Sequence, residues 1–112
     1  MAYAVNILDS AAEDIVNRVA YVRQEWGNAI ADQSFQDLMA KLELLASKPK
    51  MGRVVQQLAD LGIRNYRILV HDSHTKILYE LDESQQAIFV HMIYSSTQNF
   101  QALLYNRIIR YL

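Results

Sequence analysis

The sequence predicts an α+β protein in which an N-terminal helical hairpin packs on a curved, mainly antiparallel sheet, with the element order β-α-α-β-β-β-α. Three observations lead to this fold class. A short alternating segment precedes two apolar stripes of helical period, the only Pro and two of the three Gly residues interrupt the middle of the chain, and alternating or apolar runs follow. With 112 residues, 52% of them hydrophobic, the chain is expected to form one domain over residues 1–112 with a buried core.

The first half of the chain has the pattern of one strand and two helices. Residues 3–8 alternate, which predicts a strand, and Ser10 with Glu13 three residues later is a capping-box pattern that predicts a helix start. Gly27 interrupts this helix, and a second one follows until the residues before the only proline. The side chains expected to face the core are Ile15, Val19, Val22 and Trp26 in the first helix and Phe35, Leu38, Leu42 and Leu45 in the second. Two such helices with almost no linker are expected to form an antiparallel hairpin.

The second half has the pattern of an ordered loop, three strands and a helix. The loop is predicted at 48–62, and the strands at 63–71, 76–81 and 87–94. Short turns favour an antiparallel meander, and the apolar third strand is expected to be buried on both faces. Thr97 is expected to cap a last helix, and all helices are expected on one face of the sheet. This last helix should run over 98–111, with Phe100, Leu103, Leu104 and Ile108 facing inward.

Composition excludes several classes of protein. The chain has no Cys, which removes disulfides, thiol chemistry and the common zinc sites, and we expect neither a metal nor a cofactor. No apolar run approaches the ~18–20 residues of a membrane span, and the N-terminus lacks a signal peptide. A cytoplasmic protein without membrane contact is therefore expected.

The net charge of −1 hides an uneven distribution along the chain. Residues 1–47 carry seven acidic and three basic residues, a net charge of −4, whereas residues 48–67 carry five basic residues and one acidic residue, a net charge of +4. The total argues against a nucleic-acid binder, but the basic middle segment offers a surface for an anionic partner.

No catalytic motif can be placed by spacing alone. His71 and His74 are expected to be solvated residues of a hairpin turn, and the three His residues lack metal-ligand spacing. The residues that could carry chemistry are Arg53, Arg64, Arg67, Lys76 and His91. They form either a salt-bridged sheet face, with Glu80 and Asp82 as partners, or a phosphate site whose cations stabilise charge while the histidine moves a proton.

Several segments resemble the RelE/ParE toxin superfamily. The opening Tyr-Ala-Val-Asn-Ile-Leu-Asp-Ser-Ala-Ala-Glu is similar to its first strand and helix, and Lys-Pro-Lys-Met-Gly-Arg at 48–53 resembles its Pro-x-x-Gly-basic loop. Residues 61–67, 76–81 and 90–93 look like the three-strand meander of its ParE-like branch, and residues 101–107 look like that branch's terminal helix. The resemblance covers nearly the whole chain, and the order and spacing of these motifs make it fairly specific.

The resemblance implies a toxin of a type II toxin–antitoxin module, often described as a plasmid-stabilisation protein and neutralised by a small antitoxin whose tail wraps the toxin. RelE-like members cleave mRNA in the ribosome with basic residues on the sheet, whereas ParE-like members inhibit DNA gyrase and have no established enzymatic chemistry. By position, Arg67 and Lys76 match basic site residues of the family. Related sequences usually place one or two Arg after the last strand, where this chain has Thr97 and Gln98.

Three functions follow from the resemblance as alternatives. The first is a ParE-like toxin that binds DNA gyrase, which the loss of basic residues at 97–98 favours. The second is a RelE-like ribosome-dependent endoribonuclease with Arg67, Lys76 and His91 as catalytic residues. The third is a drifted, non-toxic member that only binds antitoxin.

Antitoxin binding is common to all three alternatives. We expect it in the groove between the hairpin and the sheet and along the basic stretch 48–67, with Arg53, Arg64, Arg67 and Trp26 as partner-binding residues. Self-association through the helices, or assembly with the antitoxin into a hetero-oligomer, is left open by the sequence.

Overall fold

The protein has helices on both faces of a five-stranded sheet, as seen in a computed structural model that describes residues 2–112. In chain order the elements are β1 (Ala4–Ile7), α1 (Asp9–Trp26), α2 (Asn28–Ser47), β2 (Arg53–Val54), α3 (Gln56–Ala59), β3 (Tyr66–Val70), β4 (Thr75–Asp82), β5 (Ala87–Ser95), α4 (Phe100–Arg107) and a final 3₁₀ turn (Ile109–Tyr111). The strand order is β1-β5-β4-β3-β2, in which β1 is parallel to β5 and all other neighbours are antiparallel. The predicted fold class is therefore confirmed.

The helical hairpin covers one face of the sheet. Gly27 separates α1 from α2 with a φ of +92°, a conformation that side chains other than glycine rarely adopt. The core on this side joins Ala11 and Ile15 of α1 and Leu38, Leu42 and Leu45 of α2 to the inward residues of β3, β4 and β5. No helix within residues 2–112 is both long and apolar enough to cross a membrane.

The start of α1 differs from the capping-box prediction, which is wrong. The helix begins at Asp9, after the extended residue Leu8, and no side chain caps it. The hydroxyl of Ser10 instead donates to the carbonyl oxygen of His91 on β5, at 3.2 Å. This long-range contact competes with the local cap because α1 starts directly against the edge of β5.

A second core lies on the opposite face of the sheet, so the expectation that all helices share one face is wrong. Here α3 and α4 cover the outward residues of the three long strands. This core consists of Val55, Leu58, Tyr66, Ile68, Leu78, Met92, Tyr94, Leu104 and Ile108. Because β5 supplies apolar residues to both cores, its predicted burial on both faces is confirmed.

The stretch predicted as a loop contains two short elements. Its residues 53–54 form the edge strand β2, and the single turn of α3 follows directly. Val55 and Leu58 are fully buried in the second core, which holds this segment against the sheet. The segment is ordered, as expected, but it is a strand and a helical turn rather than a loop throughout.

The last helix is shorter than predicted and is capped by a different residue. Asn99, not Thr97, accepts a hydrogen bond from the backbone N–H of Ala102, at 3.1 Å. Helix α4 ends at Arg107. Its residue Leu104 and the C-cap residue Ile108 are the most buried apolar residues of this segment.

Side chains protect the edge of β5 where it extends beyond β1. The N–H of Ile93 donates to Asp14 at 3.1 Å, and the N–H of Ser95 donates to Gln98 at 2.7 Å. The register shifts by one residue at His91, which forms a β-bulge. Arg107 joins α4 to this edge, because it donates to both carboxylate oxygens of Asp14 (3.2 and 2.8 Å) and to the carbonyl oxygen of His91 (3.1 Å).

Candidate functional site

Tyr79 holds the loop that precedes β2 against the sheet. Its ring is fully buried in the core below the hairpin, and its hydroxyl group donates to the carbonyl oxygen of Pro49 at 2.7 Å. The hydroxyl oxygen of Tyr79 in turn accepts a hydrogen bond from the N–H of Gly52 at 2.9 Å. Burial raises the pKa of Tyr79, so the group remains a neutral hydroxyl that can make both bonds.

Arg67 completes this clamp from the neighbouring strand. It lies directly opposite Tyr79 in the β3–β4 register, on the hairpin face of the sheet. Its guanidinium donates to the carbonyl oxygen of Gly52 at 2.7 Å and to that of Lys50 at 3.4 Å. A Cβ atom on Gly52 would lie 2.8 Å from the carbonyl oxygen of Ile68 and 2.9 Å from the Tyr79 hydroxyl. The Pro-x-x-Gly-basic pattern is therefore the sequence of a loop fastened by Tyr79 and Arg67.

His91 lies on the opposite face, beside the second core. Its Nε2 atom is 2.9 Å from a carboxylate oxygen of Glu80, and its ring lies 5.2 Å from that of Tyr66. The other oxygen of Glu80 accepts a hydrogen bond from Asn65 at 3.1 Å. Burial, followed by the charge of Glu80, raises the pKa of Tyr66 and makes its hydroxyl a poor proton donor. The Glu80 carboxylate therefore fixes the orientation of the His91 imidazole.

Lys76 shares the face of His91 but stands apart from it. Lys76 pairs across the strands with Tyr94 on β5. Along β4 it is four residues from Glu80, a distance of about 13 Å. Burial raises the pKa of Tyr94 to about 12, and its ring stacks on Phe100 at 5.2 Å. The three residues expected to act in a ribonuclease are thus not brought together, because Arg67 lies on one face and Lys76 and His91 are separated on the other.

The remaining basic residues lie near the β2 edge and the adjoining end of the sheet. Arg53 sits on β2 opposite Ile68, on the α4 side of the sheet. Arg64 lines a cavity of about 700 Å³ together with Lys50, Glu80 and acidic residues of the β4–β5 turn. Lys50 is already paired with Glu83 in this turn, at 2.8 Å. Arg53, Arg64 and Lys48 are exposed and form no ion pair within residues 2–112, so these basic residues of the stretch 48–67 can meet a partner directly.

Trp26 lies far along the hairpin from these cations and is 65% exposed, so its predicted place in the core is wrong. Its indole lines a groove of about 550 Å³ with Tyr21 and Ile30 on one wall and His74 and Thr97 on the other. This groove runs between the hairpin and the end of the sheet, where the sequence predicts antitoxin binding. The predicted partner-binding residues therefore occupy two separate surfaces.

Thr97 and Gln98, where the resemblance leads to an expectation of basic residues, have a local role in this chain. The Thr97 hydroxyl is 2.9 Å from that of Ser95, and Gln98 accepts the Ser95 N–H. The expectation for His71 is wrong, since its imidazole is largely buried under α2 and its Nδ1 has no hydrogen-bond partner in residues 2–112. No group of three His, Asp or Glu side chains in that range is arranged to hold a metal ion.

Sequence reasoning missed the most constrained residue of this region, Tyr79. Its signal was present, because a tyrosine on the inward face of a buried strand needs a partner for its hydroxyl group. The sequence predicts Glu80 as one of two acidic partners for the basic sheet residues, and Glu80 does pair with His91. The bulge that presents His91 is not predicted, since no residue type specifies it.

Comparison with known structures shows which fold the chain shares. The chain resembles the chromosomal ParDE toxin–antitoxin system of P. aeruginosa (TM-score 0.67, 14% identity, covering 84% of this chain and 96% of that one). It also resembles the RelBE2 toxin–antitoxin complex of Mycobacterium tuberculosis (TM-score 0.62, 9% identity, 88% and 95% covered) and a mutant of the E. coli toxin RelE in the free state (TM-score 0.61, 14% identity, 100% and 99% covered). The shared fold is that of the RelE/ParE toxins.

The sequence itself defines the family within this class. Residues 5–100 match the family described as the ParE toxin of the type II toxin–antitoxin system parDE, and the chain belongs to this family. No curated protein matches the sequence. The suspected resemblance to the RelE/ParE superfamily, closest to its ParE-like branch, is thereby confirmed.

Proposed function

We propose that this member of the ParE family is a toxin that inhibits DNA gyrase by binding it as a protein and that a cognate antitoxin neutralises it. The observation that carries the proposal is the position of Arg67, whose Nη1 atom donates to two backbone carbonyl oxygens of the clamped loop. Thr97 and Gln98 stand where further cations would be expected, and they serve the backbone around Ser95. Phosphate chemistry needs charge directed at the reacting group, and these residues supply little of it.

The direct test is a supercoiling assay with purified gyrase and purified toxin at micromolar concentration. We expect inhibition of supercoiling, with relaxation of the same plasmid by a type I topoisomerase as the control against an effect on the DNA. Unchanged supercoiling would contradict the gyrase proposal. Induction in cells without antitoxin provides the matching readout, in which DNA synthesis stops before protein synthesis.

A ribosome-dependent endoribonuclease is the second candidate, and the pairing of His91 with Glu80 favours it. A carboxylate oxygen 2.9 Å from Nε2 fixes the orientation of the imidazole, an arrangement that suits general acid–base catalysis. Lys76 lies on the same face of the sheet as His91, although it is about 13 Å along β4 from Glu80. Primer extension on translated mRNA decides the matter: new 5′ ends that disappear in His91→Gln support cleavage, and their absence after induction rejects it.

A drifted member that binds antitoxin without being toxic is the third candidate. The absence of cations at 97–98 would follow from relaxed selection on a lost activity as readily as from a different target. Normal growth on induction without antitoxin, together with an intact complex when the antitoxin is added, is the expected result for this candidate. Growth arrest would reject it.

The antitoxin is proposed to bind the groove beside the hairpin and the basic side of the molecule. Arg53 and Arg64 are exposed, and an acidic antitoxin tail would meet both without rearranging the clamped loop. Changing both to Glu should raise the dissociation constant of the complex at least tenfold, measured by calorimetry. Arg110→Glu is the matched control, since this exposed arginine rests on Tyr111 at the far end of α4. Equal effects of the two changes would refute the assignment.

A further inference from the structure

The second core holds two tyrosines whose hydroxyl groups lie near opposite charges. Tyr66 and Tyr94 are both buried in this core, and burial raises the pKa of both. The charge that acts on Tyr66 is the carboxylate of Glu80, whereas the charge that acts on Tyr94 is the guanidinium of Arg53. The two hydroxyl groups therefore have electrostatic surroundings of opposite sign, although they belong to the same face of the sheet.

A second cation, Lys76, lies beside Tyr94 on this face. Lys76 is directly opposite Tyr94 in the β4–β5 register, and the side chains of such a pair share one face of the sheet. Arg53 is opposite Ile68, whose side chain belongs to the same core. Neither cation has a carboxylate within ion-pair distance among residues 2–112. Two positive charges without an ion-pair partner are thus found on the face that contains Tyr94.

The carboxylates on this side of the sheet have partners of their own. Glu80 lies about 13 Å along β4 from Lys76, and Nε2 of His91 is 2.9 Å from it. Asp72, in the turn before β4, accepts a hydrogen bond from a backbone N–H of that turn at 2.8 Å. Asp60, at the end of α3, accepts one from a side-chain amide of the same helix, also at 2.8 Å. The charge that is left without a partner on this face is therefore positive.

The hydroxyl group of Tyr94 is a hydrogen-bond donor without an acceptor in the part of the chain that the structure describes. Nδ1 of His71 is the only buried side-chain polar atom of residues 2–112 that lacks a partner, so the unbonded Tyr94 oxygen reaches the surface. Burial raises the pKa of Tyr94 to about 12, so the hydroxyl keeps its proton at neutral pH and can donate it to an anion. Stacking on Phe100, at 5.2 Å between the rings, holds this donor in place.

We propose that Arg53, Lys76 and the Tyr94 hydroxyl group form an anchor site for a carboxylate in an acidic segment of the antitoxin. This inference rests on the proposed antitoxin binding at Arg53 and Arg64, and it extends that surface from the β2 edge onto the face covered by α4. A carboxylate oxygen accepts the Tyr94 hydroxyl proton in a hydrogen bond, and the two cations offset its charge.

A nucleic acid fits this anchor site less well than an acidic peptide. It would bring a row of phosphates against a chain whose net charge is −1, where only two unpaired cations share this face. The rings of Tyr94 and Phe100 stack on each other, so the ring faces in this contact are not offered to a base. A single carboxylate needs neither further cations nor a stacking platform.

The test compares two tyrosine variants by calorimetry with the antitoxin that neutralises the wild-type protein in cells. Tyr94→Phe removes the proposed donor, whereas Tyr66→Phe removes the same atom from the same core beside Glu80. No hydrogen bond of either hydroxyl group is present in the described residues, so both variants should keep the wild-type melting temperature. Tyr94→Phe should raise the dissociation constant roughly tenfold, the usual effect of losing a hydrogen bond to a charged group, and Tyr66→Phe less than about twofold.

Lys76→Gln tests the charge of the anchor site separately. It should also weaken the complex, and the loss should be smaller at high salt because the interaction is then screened. A loss that does not depend on salt would contradict the role of this charge.

The failure of the anchor site and the failure of the proposed antitoxin surface give different results. Wild-type affinity in Tyr94→Phe, together with weak binding when Arg53 and Arg64 are both changed to Glu, overturns the anchor site alone. Wild-type affinity in that double variant as well overturns the proposed surface and this inference with it. Tyr94→Phe that weakens binding of a single-stranded RNA oligonucleotide but not of the antitoxin assigns the site to phosphate and refutes the carboxylate.

Discussion

Replacing Tyr79 by Phe should destabilise the protein although it removes a single oxygen atom. The ring keeps its place in the core, but the N–H of Gly52 and the carbonyl oxygen of Pro49 lose their partner. A buried polar group left without a hydrogen bond costs about 1–3 kcal/mol. Gly52 is buried and bears the full cost, whereas half-buried Pro49 can recover part of its bond from water. We therefore expect a loss of about 2–3 kcal/mol in the free energy of unfolding.

Urea unfolding at neutral pH measures this loss, and thermal unfolding checks it as a fall of roughly 9–13 °C in Tm for a chain of this size. Tyr111→Phe provides the control, because Tyr111 is 73% exposed and the same atom is removed without consequence. A loss below 0.5 kcal/mol in Tyr79→Phe, on the order of the control, would refute the clamp. The result also decides whether Arg67 is held by a fixed loop or by a mobile one.

Further predictions concern Gly52, His71 and Arg107. Gly52→Ala should cost more than Tyr79→Phe in urea unfolding, because its Cβ would meet a backbone oxygen at 2.8 Å that cannot move aside. Burial lowers the pKa of His71, so below pH ~6.5 the unfolded chain binds more protons than the folded protein. The free energy of unfolding should therefore fall as the pH drops through that range, and His71→Gln should flatten this dependence between pH 7 and 5. Arg107→Gln should cost about 2–3 kcal/mol by leaving Asp14 half-buried without its partner. Glu83→Gln breaks an exposed pair and should leave the free energy of unfolding almost unchanged in the same urea measurement.

Patterns that repeat over several turns or strand residues predicted the fold. The hairpin, the three-strand meander and the doubly buried β5 each extend over enough residues to show a period. The two residues of β2 and the single turn of α3 are too short to show a period, so the sequence pattern predicts a loop there. The second core escaped prediction because the pattern of α4 marks an apolar face without saying which side of the sheet it covers.

The candidate site was less accessible to prediction because it depends on partners distant in sequence. Arg67 is basic and near the expected position, yet its hydrogen bonds to a loop 15 residues away determine what it can do. Trp26 continues a stripe in phase with the core, and periodicity cannot tell where the sheet beneath a helix ends. Ser10 and Thr97 carry cap signals, but tertiary contacts at the edge of β5 and a neighbouring Asn99 displaced them.

The parallel pairing of β1 with β5 determines when, during translation, this protein can reach its native fold. Asn6 bonds to Ile88, 82 residues further along the chain, and Asp14 bonds to Arg107, 93 residues further along. The first strand and first helix therefore lack their partners until almost the whole chain has been made, which takes roughly 5–20 s at ordinary elongation rates. Contacts between residues so distant in sequence also form slowly after release. The topology thus delays folding of the first strand and first helix until residues 87–107 have been synthesised.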